Sequence, residues 1–274
     1  MPSPFSVAQG YWLHCYYARV GTGTKAKQQQ IEEAVEVFVR GFSLTKSRTH
    51  PYECARVDGV WVMRDTERRR AAHYRKEEWI TYGGTPSVVD SIARKGTRGR
   101  FFVGAVCEWG QSMEELRDAY KALGYRLIAT EPFFVQPLQR IPKAPAPVRL
   151  EQIKTIDLAV RFGKATRTRP IAAEDLGVQA PFRQYVALDG DEIVGWVRSV
   201  VVGASTWCSN MYARPSHRRQ GIGKALLVRM LRDDRAHGAK WSVLLSSHAG
   251  ALLYPKVGYE QIGTLLMLAP RKAR

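Results

Sequence analysis

The sequence predicts an α+β protein, an α/β sandwich whose two halves each have a central mixed, mostly antiparallel sheet flanked by helices. Short runs rich in β-branched and aromatic residues alternate with longer runs whose apolar residues recur every three or four positions. A proline-rich stretch, residues 140–147, separates two lengths of ordinary domain size. The pattern Tyr-x-x-x-Gly-Tyr starts at Tyr120 and again at Tyr254, which suggests an internal repeat.

The composition is that of a globular protein with a strongly basic surface. Hydrophobic residues make up 45% and charged residues 24% of the chain, which excludes intrinsic disorder. No run approaches eighteen apolar residues and no leader-like segment is recognisable, so we expect a cytoplasmic protein with no membrane partner. The net charge of +17 favours anionic partners and disfavours polycationic acceptors at long range.

The four cysteines, Cys15, Cys54, Cys107 and Cys208, are widely scattered and form no C-x-x-C pair. No histidine lies near them at ligand spacing, so we expect reduced thiols and no metal site. Cys208 lies inside a predicted strand without a neighbouring base, which argues against an acyl-enzyme nucleophile.

The first half, residues 1–139, is expected to form one domain before the linker at 140–147. Its predicted elements are a strand at 8–20, a turn at 21–27, a helix at 28–40, strands at 52–64 and 76–82, a helix at 86–95, a strand at 100–108, a helix from Ser112 to Gly124 and a strand at 125–138. Ser112 with Glu115 three residues later is typical of a capping box. The alternative is an α+β domain unrelated to the second half.

The second half, residues 148–274, alternates strands and helices in the order β-α-β-β-β-α-β-α-β. The predicted strands are 148–153, 182–188, 192–202, 207–213, 241–246 and 259–268, and the predicted helices start at 155, 222 and 249. Asp189-Gly190-Asp191 is a hairpin turn signal between two of these strands.

One stretch combines basic residues and glycines between a predicted strand and a long predicted helix, and it reads Arg218-Arg-Gln-Gly-Ile-Gly223. The first amides of a helix lack intrahelical partners and lie at the positive end of its dipole, so they suit an anion. Glycine lets the backbone approach a phosphate closely. The spacing matches neither the Rossmann nor the P-loop pattern. The alternative for Arg218 and Arg219 is a solvated basic turn.

This stretch matches R/Q-x-x-G-x-G/A, and Leu253-Tyr-Pro-Lys-Val-Gly-Tyr259 matches A-x-x-L-Y-x-x-x-G-F/Y. In this order and spacing, the two motifs resemble the GCN5-related N-acetyltransferase (GNAT) family. The resemblance implies acetyl-CoA as cosubstrate, its pyrophosphate on the loop amides and its pantetheine arm along the preceding strand. The coenzyme-binding residues expected on this basis are Met211, Tyr212, Ala213, Arg218, Arg219, Gln220, Gly221, Ile222, Gly223, Lys224 and Ser247. The first half has no such loop, so we expect a degenerate GNAT-like domain there.

Two catalytic residues follow from the resemblance. Tyr254 matches the position at which a tyrosine hydroxyl protonates the departing thiolate, and its alternative is a core aromatic. The family often places a basic carboxylate on the strand before the loop, but 207–213 contains none. The candidate proton acceptors are therefore His248, Glu174, Asp175 or ordered water, and we expect His248 as the catalytic residue.

The expected function is transfer of an acetyl group from acetyl-CoA to a primary amine of a small molecule or peptide, by direct attack in a ternary complex. The first alternative is a GNAT-fold binding protein that has lost catalysis. The second is an acyl or aminoacyl transferase acting with RNA, because basic and aromatic residues interleave from Arg68 to Trp79. Nucleic acid is the less favoured partner. We expect a monomer or a homodimer.

Overall fold

The computed structural model describes residues 8–70, 73–177 and 180–271. Within these ranges the helices are α1 (Ala8–Ser47), α2 (Pro86–Gly96), α3 (Met113–Ala122), α4 (Ile156–Thr166), α5 (Ile222–Ala236) and α6 (His248–Ala251). The strands are β1 (Tyr52–Val57), β2 (Val60–Asp65), β3 (Glu77–Tyr82), β4 (Phe101–Glu108), β5 (Tyr125–Pro137), β6 (Arg149–Gln152), β7 (Phe182–Asp189), β8 (Glu192–Val202), β9 (Ser205–Ala213), β10 (Trp241–Leu245) and β11 (Glu260–Pro270). None of the described helices combines the length and apolarity needed to cross a bilayer.

The described strands form a single sheet in the order β1-β2-β3-β4-β11-β5-β10-β9-β8-β7-β6. Neighbouring strands are antiparallel except for two parallel pairs, β3 with β4 and β9 with β10. The predicted mixed, mostly antiparallel sheet flanked by helices is confirmed. The sequence did not reveal that the sheets of the two halves are joined into one.

The two halves exchange their last strands. Strand β11, from the end of the second half, lies between β4 and β5 of the first half. Strand β5 in turn pairs with β10 of the second half, with Phe133 opposite Leu245 and Pro137 opposite Trp241. Each half therefore completes the sheet of the other.

The linker has no helix or strand between Pro137 and Arg149. It lies along α5, where Arg232 Nη2 donates to the Pro142 carbonyl at 3.2 Å. The division of the chain into domains at 140–147 stays a prediction.

The predicted strand at 8–20 and turn at 21–27 are wrong, because both ranges lie within α1. Aromatic residues favour strands only weakly and according to context, whereas a helix propagates readily once it has formed. The predicted face at 28–40 is confirmed, since its apolar residues are all buried: Ile31, Val35, Phe38 and Val39. This helix packs on β1, β2 and β3 of the first half and on β8, β9 and β10 of the second.

Helix α1 meets β9 at a glycine. A Cβ atom added to Gly41 would lie 2.3 Å from the Trp207 Cβ atom, far inside van der Waals contact. The Phe38 ring packs one turn earlier against the Trp207 ring, with 5.1 Å between centroids. Gly41 thus sets how closely this helix of the first half can approach the sheet of the second.

Two other predicted elements are divided in the structure. The single strand at 52–64 is a hairpin, β1 and β2, because Asp58 and Gly59 both adopt positive φ in its turn. The predicted helix at 249–257 is the short helix α6 followed by a separate 3-10 turn, Tyr254–Val257. Pro255 occupies the start of that turn, where its missing N–H breaks the helical hydrogen-bond series.

The predicted repeat has a structural counterpart in two tyrosine pairs. The Tyr120 and Tyr125 rings are 5.6 Å apart with an interplanar angle of 77°. The Tyr254 and Tyr259 rings are 5.7 Å apart with the same angle. The same local arrangement therefore precedes the final strand of each half.

The second half places its helices on opposite faces of the sheet. Helix α5 packs against alternate sheet residues that include Tyr185, Ala187 and Phe134. Helix α4 packs against the intervening residues Val186 and Leu188. We call these two sides the α5 face and the α4 face, and α1 covers the continuation of the α4 face.

Candidate active site

The parallel strands β9 and β10 separate part-way along their length. Their cross-strand pairs end at Trp207 with Val243, although β9 continues to Ala213 and β10 to Leu245. The corresponding pair of the first half, β3 and β4, stays paired to Tyr82 with Val106, the end of β3. Of these two described parallel pairs, the one in the second half therefore opens a gap in the sheet.

Strand β9 carries a bulge beside this gap. Trp196 of β8 pairs with Tyr212, but Arg198 pairs with Ser209, so two residues of β9 lie opposite one residue of β8. Asn210, within the bulge, has a φ of 54°. A bulge turns the local backbone out of the regular ladder. Here it re-aims the amides of β9 next to the gap.

The basic-and-glycine loop joins β9 to α5, as the sequence predicts. Gly221 is the residue before the helix, with a φ of 87°, and no side chain caps the helix there. Arg219 also has positive φ, 66°. A Cβ atom on Gly221 would meet no other atom within 4 Å, so this backbone faces open space. The loop therefore presents the unpaired first amides of α5 to an incoming anion.

Gly223 lies on the packed side of the same loop. A Cβ atom there would lie 3.0 Å from the Met211 Cε atom and 3.1 Å from the Leu253 Cδ2 atom. The two glycines of the motif thus differ in role. Gly221 leaves the loop open, whereas Gly223 lets the start of α5 pack closely against β9 and the segment before Tyr254.

The Arg218 side chain folds back onto the strand. Its Nε atom donates to the Ala213 carbonyl at 3.1 Å, and its guanidinium lies 6.0 Å from the Tyr212 ring centroid. Tyr212 in turn stacks on Trp196 at 4.3 Å. Arg219 is exposed. The two arginines therefore present one charge near the strand and one toward solvent.

Tyr254 lies in the 3-10 turn after α6 and is 6% exposed. Its ring packs against Phe134 and Tyr259, each at 5.7 Å between centroids. Burial, assisted by nearby Cys208, raises the pKa of the Tyr254 hydroxyl well above its usual value. The hydroxyl is therefore neutral over the whole physiological range.

His248 begins α6, and Ser247 caps that helix by accepting a hydrogen bond from the Gly250 amide at 3.2 Å. The His248 Nε2 atom lies 2.8 Å from the Thr130 hydroxyl oxygen. Thr130 belongs to β5 and lies on the α5 face, the face of Phe134 four residues later. The first half therefore reaches the candidate site, and no local signal in the sequence pointed to Thr130.

The other sequence candidates differ in burial and position. Glu174 is exposed, and Asp175 lines a cleft on the α4 face together with Arg198. Cys208 is buried, and burial raises the pKa of its thiol to about 12, which leaves it protonated and unreactive. Two buried hydroxyls, Ser209 and Ser246, have no hydrogen-bond partner among the described residues.

The basic and aromatic stretch from Arg68 to Trp79 does not form an exposed aromatic surface. Arg68 and Arg75 both bind the fully buried carboxylate of Asp65, at 2.7 Å for each Nε atom. Trp79 is buried in the core. Arg68, Arg75 and Trp79 therefore stabilise the first half, whereas Arg69, Arg70 and Lys76 are exposed.

The sequence of the second half matches a known family. A sequence model described as an acetyltransferase (GNAT) domain matches residues 180–261. This range holds the gap, the loop, His248 and Tyr254. GNAT domains are acetyltransferase domains and generally use acetyl-CoA.

Solved structures extend the likeness in fold beyond residues 180–261. A GCN5-related N-acetyltransferase from Kribbella flavida is 14% identical, with a TM-score of 0.60 over 88% of this chain and 96% of that one. A GCN5-related N-acetyltransferase-like protein from Streptococcus suis is 13% identical, with a TM-score of 0.51 over 89% of this chain and 99% of that one. A GCN5-related N-acetyltransferase from Sphaerobacter thermophilus is 18% identical, with a TM-score of 0.50 over 76% and 75%. No curated protein matches the sequence.

Proposed function

We propose that the chain transfers the acetyl group of acetyl-CoA to a primary amine by direct attack in a ternary complex. The observation that carries the proposal is the gap between β9 and β10 beside the uncapped start of α5. A gap of this kind gives the thioester access to the backbone of the sheet. The unpaired amides at the start of α5 suit the pyrophosphate of the coenzyme. The second half, residues 148–274, is then the catalytic half.

The coenzyme supplies an activated acyl group as a thioester. The pyrophosphate is assigned to the amides of Arg219, Gln220, Gly221, Gly223 and Lys224. The backbone from Met211 to Ala213 pairs with the pantetheine arm as an added strand would. The open space at Gly221 and the unpartnered hydroxyls of Ser209 and Ser246 support this fit.

The chemistry forms an amide C–N bond and breaks the C–S bond of the thioester. An amide of the β9 bulge donates to the carbonyl oxygen as negative charge develops there. The Tyr254 hydroxyl gives its proton to the departing thiolate. The proton of the attacking amine passes to His248 on the α5 face, and Asp175 on the α4 face is the alternative acceptor.

The first half is assigned as a GNAT-like domain without a coenzyme loop. The matching tyrosine pairs, the parallel β3 and β4 and the exchanged last strands support this assignment. At the end of β4, Glu108 binds Lys27 at 2.6 Å and accepts from the Tyr82 hydroxyl at 3.1 Å. Because β3 and β4 remain paired there, this half provides support rather than a second reaction centre.

The decisive experiment measures unfolding temperature with and without acetyl-CoA in three proteins: the wild type, Gly221→Asp and Gly221→Asn. Both side chains tolerate positive φ better than most, and they are nearly equal in size. The carboxylate repels the pyrophosphate, but the amide does not. We expect a ligand-dependent rise in the wild type and in Gly221→Asn, and its loss in Gly221→Asp.

No rise in the wild type at millimolar acetyl-CoA would refute the proposal. An equal rise in all three proteins would place the coenzyme elsewhere. Coenzyme binding without thiol release, over a broad amine panel, would favour the catalytically silent binding protein. Retention of tRNA with a steep salt dependence would favour the transferase that acts with RNA.

A further inference from the structure

A buried arginine lies one strand away from the bulge. Arg198 of β8 pairs directly with Ser209, the residue before the bulge on β9. Its neighbours on the same side of the strand are Trp196, which packs on the α4 cluster, and Val200, which packs on the α1 cluster. The Arg198 side chain therefore projects from the α4 face, on the opposite side of the sheet from α5.

Arg198 is only 6% exposed, yet no carboxylate oxygen among the described residues lies within 4.0 Å of its guanidinium. Its Nε atom donates to Gln184 Oε1 at 3.0 Å. Arg183, on the adjacent strand, is buried to a similar degree but pairs with Asp234 at 2.6 Å. Burying a charge is unfavourable unless it is paired. The unpaired guanidinium is thus a preformed site for an anionic group.

The guanidinium of Arg198 lines a narrow cleft with other polar groups. The cleft is bounded by Arg48, Ile153, Ile171, Asp175, Phe182, Gln184 and Arg198. Burial and the nearby Arg48 charge lower the pKa of Arg198 to about 10, so it stays protonated at neutral pH. Two guanidiniums and one carboxylate suit a ligand that carries both charges, and the nearby Asp175 carboxylate repels a dianionic phosphate more than a singly charged carboxylate.

We propose that the acyl acceptor is an aminocarboxylate whose carboxylate binds Arg198 and Arg48 on the α4 face. The inference rests on the proposed acetyl transfer, and it specifies the acceptor class. Binding there aims the amine at the gap, where its nitrogen bonds to the acyl carbon as the C–S bond breaks. The amine proton leaves to the protein base, and the thiolate takes its proton from Tyr254.

The test compares amines that differ only in the carboxylate. Glycine, β-alanine and γ-aminobutyrate are assayed by thiol release against their carboxamides, in the wild type, Arg198→Gln and Arg48→Gln. The exposed Arg229→Gln is the control. For at least one pair we expect the wild type to prefer the carboxylate about tenfold to a hundredfold in kcat/KM, mainly through KM. Both cleft variants lose that preference and Arg229→Gln keeps it. Equal use of both members of every pair by the wild type, or a preference that survives in both cleft variants, would overturn the inference.

A binding measurement separates this inference from the proposed function. Unfolding temperature is measured with coenzyme A and either N-acetylglycine or N-acetylglycinamide. We expect N-acetylglycine to raise the unfolding temperature of the wild type and of Arg229→Gln. It should not raise that of Arg48→Gln, which alters only the edge of the cleft. If acetyl-CoA stabilises the protein and amines are acetylated without this selectivity, the carboxylate site is refuted while the proposed function stands. If no thiol is released from any amine, the binding comparison still decides whether the site exists.

Discussion

The His248 Nε2 atom, in the second half, lies 2.8 Å from the Thr130 hydroxyl oxygen on a strand of the first half. In the tautomer whose Nε2–H donates to Thr130, the Nδ1 atom keeps its lone pair and is able to accept a proton. The contact also makes the first half part of the proposed active site.

Removing this contact should lower turnover more than coenzyme binding. We expect Thr130→Val to reduce kcat about tenfold while the KM for acetyl-CoA changes less than twofold, because positioning is lost but the loop is intact. Thr130→Ser, which keeps the hydroxyl, serves as the matched control and should retain most of the activity. Steady-state kinetics of both variants check this.

The two faces of the sheet offer rival proton acceptors. If His248 is the base, His248→Gln should remove about two orders of magnitude from kcat, and Asp175→Asn should have a much smaller effect. A larger effect of Asp175→Asn than of His248→Gln would identify Asp175, on the α4 face, as the base. Pre-steady-state thiol release at several pH values measures both.

The buried Tyr254 hydroxyl should make acetyl transfer insensitive to alkaline pH. Because burial raises its pKa, the hydroxyl keeps its proton above pH 10, so no fall in kcat on that side should depend on Tyr254. Tyr254→Phe keeps the packing against Phe134 and should lower kcat about a hundredfold with little change in unfolding temperature. An unchanged kcat would leave Tyr254 as a core residue only.

The contact between Gly41 and Trp207 should be sensitive to a single methyl group. Gly41→Ala places its Cβ atom against the Trp207 Cβ atom, and neither is the end of a flexible chain. We expect a loss of about 1–3 kcal/mol in the free energy of unfolding, despite the higher helix propensity of alanine. Urea denaturation checks this, with exposed Glu33→Ala on the same helix as control.

Asp65 should stabilise the first half in a pH-dependent way. Burial alone would raise its pKa, but the hydrogen bonds from Arg68 and Arg75 outweigh burial and lower it from 3.8 to about 2. The folded pKa lies below the unfolded one, so about 2 kcal/mol of stability is present above pH 4 and disappears as the pH falls through 2.

In Asp65→Asn this pH-dependent part is missing. The stability difference between wild type and variant should be constant above about pH 5 and should narrow toward pH 2. Chemical denaturation at each pH measures it, and the exposed Asp191→Asn is the control. A difference that stays constant down to pH 2 would contradict the predicted shift.

Local patterns predicted the basic-and-glycine loop and the order of the second half. Gly221, with positive φ before α5, is where the glycine spacing placed it, because a helix start depends on a few consecutive residues. The Ser112 cap of α3 is confirmed for the same reason, with its hydroxyl accepting from the Glu115 amide at 3.2 Å. The backbone conformation at a helix start or cap depends on a few neighbouring residues, so the sequence of those residues predicts it.

Features that depend on distant residues were not predictable. Thr130 reaches His248 only because β5 has crossed beside β10, and no spacing in the chain signals that crossing. Arg198 lies within a predicted strand, and the absence of a carboxylate partner among the described residues is visible only once β7 and the chain around Arg48 and Ile171 enclose it. The strand predicted at 8–20 was wrong because aromatic content alone does not distinguish a strand from a helix.

The exchanged strands constrain the order in which the sheet can form while the chain is being synthesised. When β5 is synthesised, its eventual neighbours β10 and β11 do not yet exist, and β4 is the edge available to it. The nascent first half therefore either keeps an incomplete sheet until β10 and β11 are made, or pairs β5 with β4 and later breaks that pairing. Glu260–Pro270 is translated after every other described strand, and it closes both halves at once. Loss of that final segment would leave two unfinished sheets rather than one shortened protein.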